Sequence, residues 1–269
     1  MDKLTILIVN YNSADFIANS LFCLQKLTFN PFKVFVIDNN SHPSDLKKLK
    51  SLQAQYNNLE IIENKTDLTG SLAHGTALNQ LVKKVGTPYF SILDADATWL
   101  KKNWDEILIN QIDSQIKIIG TQADGSSKPQ DFPLMYAALF ETNSYNKLNI
   151  DLRPQGPNQD TGFDMRDKYL SSGFKGKVLT MKNTRLFKQG PFRNLIGVGE
   201  YYDQNNNLFA SHFGRGSSLG SAKYRKTWQK YIYKLPLLGP YFLKRKGQKE
   251  KKKWIYICHQ IVNNQTQNG

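Results

Sequence analysis

The chain has 269 residues, 40% hydrophobic and 22% charged, enough to bury a sizeable core and too apolar for a disordered polymer. No apolar run approaches the roughly 18 residues that span a bilayer, and the first residues enter a strand pattern directly, so neither a membrane span nor a secretory leader is expected. The net charge of +14 is concentrated. Residues 223–253 hold 12 Lys+Arg against one acid, Glu250, and the remaining 24 Lys+Arg nearly balance 21 Asp+Glu.

Leu4 to Val9 is a continuous β-rich apolar run, as in a strand buried on both faces. Asn10-Tyr11-Asn12-Ser13 breaks it. Ser13 can cap the helix announced by Phe16, Ile17, Ser20, Leu21, Leu24 and Leu27. Val34 to Ile37 is a second buried strand, ending in Asp38-Asn39-Asn40-Ser41, and a helix is expected from about Pro43 to Tyr56. Leu59 to Ile62, Gly70 to Val85 and Tyr89 to Leu93 read as strand, helix and strand. Such alternation predicts an α/β fold with a mostly parallel central sheet and helices on both faces. After Trp104 the pattern weakens. Lys117 to Gly120 and Lys177 to Leu179 read as strands, Asp164 to Ser172 as a helix, and Gly125 to Asp131 and Arg153 to Gly162 as loops. The domain reading is a catalytic body over residues 1–220 and a basic, aromatic extension over 221–269. There Pro236, Gly239 and Pro240 argue against one long helix. Cys23 and Cys258 are too far apart in sequence to suggest a disulfide framework or a metal site, so a reducing cytoplasm is the simpler setting.

Asp94-Ala95-Asp96 follows the strand ending at Leu93. Two carboxylates at the carboxyl edge of a sheet suit a hard divalent cation that shares its shell with substrate phosphate. The alternative is a turn in which one Asp caps a helix. Asn10, Tyr11 and Asn12 leave the first strand at the same edge, where a stacking ring and an amide suit a nucleobase and ribose, although Asn12 and Ser13 could equally cap. Gly70, opening the third helix, offers exposed amides to an anion. The nearby His74 is read as structural, and Trp99 as core packing.

With Ile8-Val9-Asn10-Tyr11-Asn12-Ser13, Val36-Ile37-Asp38-Asn39-Asn40-Ser41 and Leu93-Asp94-Ala95-Asp96 in this order, residues 3 to 215 resemble the family-2 glycosyltransferases of GT-A fold. The resemblance implies transfer of a sugar from a nucleoside-diphosphate-sugar to an acceptor hydroxyl, with inversion and a divalent metal, Mn²⁺ or Mg²⁺. It implies that Asp96 ligates the metal, that Asp94 meets ribose or metal, and that Asp38 contacts base or ribose. It also implies a general base in an acid before a downstream helix. This chain lacks the family's usual Glu-Asp pair, leaving Asp160 as first choice and Asp164 as second. A late His that returns to the metal would be His212, and Arg215 beside it could pair with phosphate.

The basic tail interleaves Tyr231, Ile232, Tyr233, Leu237, Leu238, Tyr241 and Phe242 with lysines, which suits an anionic membrane surface. Docking of those apolar groups on the body is the alternative. The leading expectation is a cytoplasmic enzyme, peripheral on the inner face of the membrane. It would build a cell-surface glycan on a glycan or lipid-linked acceptor. A metal-dependent nucleotidyltransferase and a non-enzymatic nucleic-acid-binding protein are the other readings. The nearly neutral body argues against nucleic acid as a partner.

Overall fold

The computed structural model describes residues 2–123, 125, 128–214, 216, 231 and 238–267. In chain order the first half runs β1 (Leu4–Asn10), α1 (Ala14–Leu27), β2 (Phe32–Asn39), α2 (Pro43–Gln53), β3 (Leu59–Asn64), α3 (Gly70–Val82) and β4 (Tyr89–Leu93). Then come β5 (Ala97–Trp99), α4 (Trp104–Ile109), β6 (Ile116–Thr121), β7 (Leu134–Glu141), α5 (Thr142–Lys147) and α6 (Met165–Ser171). The last are β8 (Lys175–Asn183), β9 (Gly199–Tyr202), β10 (Leu208–His212) and α7 (Leu238–Gln267).

Among the described residues ten strands form one sheet in the order β3-β2-β1-β4-β7-β6-β8-β9-β10-β5. The expected parallel alternation occupies its first four strands, β3-β2-β1-β4. Beyond β4 the sheet is mixed, with β7 antiparallel to both β4 and β6, and β9 antiparallel to β8 and β10. The apolar run of β1 serves two cores. Leu4, Ile6 and Ile8 face a cluster built with α1, α2, α4 and α7, while Leu7 and Val9 face one built with α3, α5 and α6. That double burial is why the run shows no polar alternation.

Ser13 does not cap α1 with its side chain, which donates instead to the Tyr11 carbonyl. The Ala14 amide donates to Asp45 of α2, so an acid from a neighbouring helix does the capping.

The C-terminal segment departs most from expectation. A 30-residue helix begins at Leu238, with Gly239 and Pro240 in its first turn, where proline needs no amide partner. The expected boundary between residues 220 and 221 lies outside the described residues, as do Ile232, Tyr233 and Leu237. In α7, Leu243, Trp254, Cys258 and Val262 are buried at helical spacing, and the last three join the core of α1. Trp254 packs against Phe16, Phe192 and Phe213 and donates to the Ser211 hydroxyl at 2.9 Å. Lys251 pairs with Asp15 at the start of α1, and Gln265 donates to the Leu100 carbonyl. Both free cysteines are buried where α1 and α7 meet, and burial pushes the Cys23 thiol up to about 12. Among the described residues no helix is long and apolar enough to cross a membrane.

Removing so large a buried ring leaves a cavity, so Trp254→Ala is expected to cost about 3–5 kcal/mol in urea unfolding. A loss below about 1 kcal/mol would show that α7 is not part of the cooperative core.

Candidate active site

The sheet edge gathers Asp94, Asp96 and His212, one ligand atom from each lying within 4.8 Å of the others. Each is placed by backbone pairing. The Asp94 amide donates to the Tyr136 carbonyl of β7 at 2.9 Å, and the Ala97 amide turns back to the Asp94 carbonyl. β10 then pairs with β5, setting His212 opposite Ala97, and the Phe213 amide donates to the Asp96 carbonyl. His212 Nε2 lies 3.2 Å from Asp96 Oδ1 and 3.9 Å from Asp94 Oδ2. The Gly216 amide reaches Asp96 Oδ2 at 2.7 Å, and a side chain there would collide with Asp96 and Phe16. Arg215, expected beside this histidine, lies outside the described residues. Trp99 is buried, stacked on Trp104 at 4.4 Å.

A second layer approaches from α3 and the segment before α6. Gly75 makes that possible, because a Cβ there would stand 2.4 Å from the Leu152 carbonyl. Asn79 then ties Asp151 and the Leu152 amide to α3. Asp160 accepts from the Ser71 hydroxyl at 2.6 Å, from Lys128 at 2.7 Å and from the Thr161 amide at 2.9 Å. Burial pushes its carboxyl up, but these donors and the Lys128 charge outweigh that and hold it at about 2. His74 Nε2 lies 3.8 Å from Asp94, and its Nδ1 lies 3.4 Å from the Thr161 hydroxyl. Burial lowers this imidazole to about 4, against the pull of Asp160 and Asp96. His74, expected to be structural, thus faces the carboxylates. Asp164 turns elsewhere, pairing with Lys168 at 3.0 Å, its other oxygen buried.

The first-strand motif forms a separate knot. Asn10 is fully buried, its amide group facing Asp38, Ser41 and Asp45 and its oxygen accepting from the Ser13 amide. Asp38 is likewise buried and accepts from the Ser41 amide. Asn12, at φ +51°, accepts from the His42 amide. Held by this knot, Tyr11 projects into solvent, 55% exposed. A groove of about 380 Å³ borders Asp38 and Ser41, lined also by Lys47, Lys50 and Lys65, and it lies apart from the carboxylate cluster. Gly70, at φ +59°, is exposed at the start of α3 with open space around it.

Two residues of the site are not apparent from sequence motifs. Lys128 sits in a Gly-Ser-Pro loop that reads as a linker, and Tyr136 in a segment with no strand alternation. Tyr136 stacks on His212, ring centroids 4.5 Å apart.

Comparison with known proteins gives a consistent picture. The family model for glycosyl transferase family 2 matches residues 5–172. A teichoic acid poly(glycerol phosphate) polymerase from Staphylococcus epidermidis is 30% identical over 97 residues, which is 36% of this chain and 13% of that protein. The chain therefore spans a small part of that relative. A mannosyltransferase from Pyrobaculum calidifontis, solved with GDP-Man and Mn²⁺, superposes with a TM-score of 0.53 at 16% identity, over 66% of this chain and 54% of that one. S. aureus TarS superposes with a TM-score of 0.52 at 20% identity, over 67% of this chain and 35% of that one. At these identities the two structures establish the fold alone.

Asp94 supplies a pH test. Burial, reinforced by Asp96 and Asp160, raises its carboxyl to about 7, although His212 pulls the other way. Between about pH 4 and 7 the unfolded chain is ionised there while the folded chain still holds the proton, so the stability from this group is lost as pH rises. Asp94→Asn is expected to raise the melting temperature in chelator by several degrees at pH 8 and by little at pH 4. An equal effect at both values would contradict the assignment.

Proposed function

The chain belongs to glycosyl transferase family 2, and on that premise we propose that it moves a sugar from a nucleoside-diphosphate-sugar to an acceptor hydroxyl with inversion. The observation that carries the reading is the convergence of Asp94, Asp96 and His212 at the sheet edge. Two carboxylates and an imidazole, with burial and then the neighbouring acids raising Asp94, fit a divalent cation such as Mn²⁺ or Mg²⁺. Such an ion, when bound, neutralises charge on the leaving diphosphate. The mannosyltransferase solved with GDP-Man and Mn²⁺ and the TarS structure solved with UDP-GlcNAc support a nucleotide-sugar donor.

The protein's own groups have separable roles in this reading. The exposed Tyr11 ring and the Asp38 knot receive the base and ribose, and Gly70 at the start of α3 approaches the donor. Asp160 takes the proton of the acceptor hydroxyl as the hydroxyl oxygen bonds to the anomeric carbon. The bond from that carbon to the diphosphate breaks, and its electron pair leaves with the diphosphate. Asp160 is favoured over Asp164 because its charge acts on His74 and Asp94 of the site, whereas Asp164 pairs with Lys168 of the helix it precedes. A cell-surface glycan, carried by a lipid-linked acceptor, is the proposed product class, supported by the teichoic acid polymerase relative.

Peripheral attachment to an anionic inner membrane face is part of the same reading. Its support is the outer side of α7, where Arg245, Lys249, Lys252 and Lys253 are exposed beside Tyr241, Phe242 and Tyr256. Each such cation contributes about 1 kcal/mol near an anionic surface.

Three experiments test these assignments. In isothermal titration, Asp96→Ala is expected to abolish Mn²⁺-dependent binding of UDP or GDP. Asp160→Asn should keep that binding and lower kcat at least a hundredfold. Unchanged metal dependence in the first variant, or normal turnover in the second, would refute the corresponding role. For the membrane, replacing Arg245, Lys249, Lys252 and Lys253 together by Gln leaves the buried face of α7 intact. Sedimentation with liposomes containing anionic lipid is expected to fall at least tenfold, and equal sedimentation of both proteins would remove the membrane claim.

A further inference from the structure

Tyr136 of β7 meets both the carboxylate–imidazole cluster and the layer that carries Asp160. Its carbonyl accepts the Asp94 amide at 2.9 Å. Its ring stacks on His212 at 4.5 Å, with an interplanar angle of 30°. Its hydroxyl faces the ammonium of Lys128, which also pairs with Asp160 at 2.7 Å. One half-buried residue therefore links the carboxylate–imidazole cluster to the acid on the opposite wall.

We propose that Tyr136 is the positioning residue of this active site, its ring fixing the His212 imidazole and its hydroxyl fixing Lys128 against Asp160. Several features favour a dedicated role over ordinary packing. An imidazole that is to ligate must present one nitrogen in a fixed direction, and a stacked ring restricts its rotation without using either nitrogen. Lys128 has a flexible four-carbon stem, and two acceptors define its position where one would not. β7 sits between β4 and β6, so Tyr136 is carried on paired backbone rather than on a loop. The two ends of the side chain consequently do separable work. The ring acts on the metal-binding group, and the hydroxyl acts on the acid that receives the acceptor proton. This inference rests on the glycosyl-transfer reading for what Asp160 and the cluster do, but the stacking itself does not.

Tyr136→Phe and Tyr136→Leu separate the two ends. The chain has four histidines, so the His212 imidazole resonance is assignable by comparison with His212→Ala. Tyr136→Leu removes the ring current, so that resonance is expected to move toward its solvent-exposed position, and Mn²⁺ affinity should fall at least fivefold without nucleotide present. Tyr136→Phe keeps the ring, so both quantities should stay within twofold of wild type. It should lower kcat at least tenfold with the donor KM within twofold, because only the hydroxyl contact to Lys128 is lost. A His212 resonance unmoved in Tyr136→Leu overturns the positioning of His212. A wild-type kcat in Tyr136→Phe overturns the link to Asp160. Absence of Mn²⁺ binding by the wild-type protein would count against the metal reading, and the resonance would still decide the role of the ring.

Discussion

Two carboxylates two residues apart are recessed at the edge of a sheet, where burial penalises the charge on Asp94 and the neighbouring acids add to that cost. Asp94 lies beside His74 and His212, while Asp96 faces His212 and accepts the Gly216 amide. The raised Asp94 carboxyl reflects burial first, with the charges of Asp96 and Asp160 adding to it. A fold that merely needed a turn after β4 could use uncharged residues there. Keeping both acids in a part-buried place costs stability, and such costs concentrate at functional sites.

The second half of the chain exists, in structural terms, to close that edge. β7 inserts next to β4 and gives a carbonyl to Asp94, while β10 returns beside β5 and delivers His212. α7 then packs Trp254 against Phe213 and bonds Ser211, the residues flanking His212. The basic C-terminal segment thus supports the position of a candidate ligand from behind while presenting its exposed lysines outward. A charge-rich helix can serve the core and a surface together because its buried residues recur every three or four positions.

The sequence makes β1, β2 and β4 legible because parallel strands covered on both faces leave nearly unbroken β-rich runs that end in polar motifs, and the edge strand β3 is legible from its place in the alternation. β7 was not legible. Leu134 to Glu141 contains Leu, Met, two Ala and Glu, which favour helix in isolation, and only pairing between β4 and β6 makes it a strand. The carboxylate pair can be singled out by residue type and position, and His212 by the resemblance to the family. The proximity of Lys128 and Tyr136 could not, since it depends on chain segments joined only by the sheet. His74 was read as structural because a lone histidine near a helix start usually is. The adjacent Gly75 was the available signal that another backbone lies close to α3 at that point. Gly239 and Pro240 suggest a broken helix, whereas they lie in the first turn of a long one.

The central claim is that the Asp94–Asp96–His212 cluster holds a divalent cation shared with a nucleoside diphosphate. The most direct measurement is anomalous scattering at the manganese edge from crystals soaked with MnCl₂ and UDP or GDP. The account predicts one strong peak at coordination distance from the Asp96 carboxylate, with the diphosphate on its open side and His212 or Asp94 completing the protein ligands. A nucleotide bound at this edge with no peak there, or a peak ligated by other residues, would contradict it.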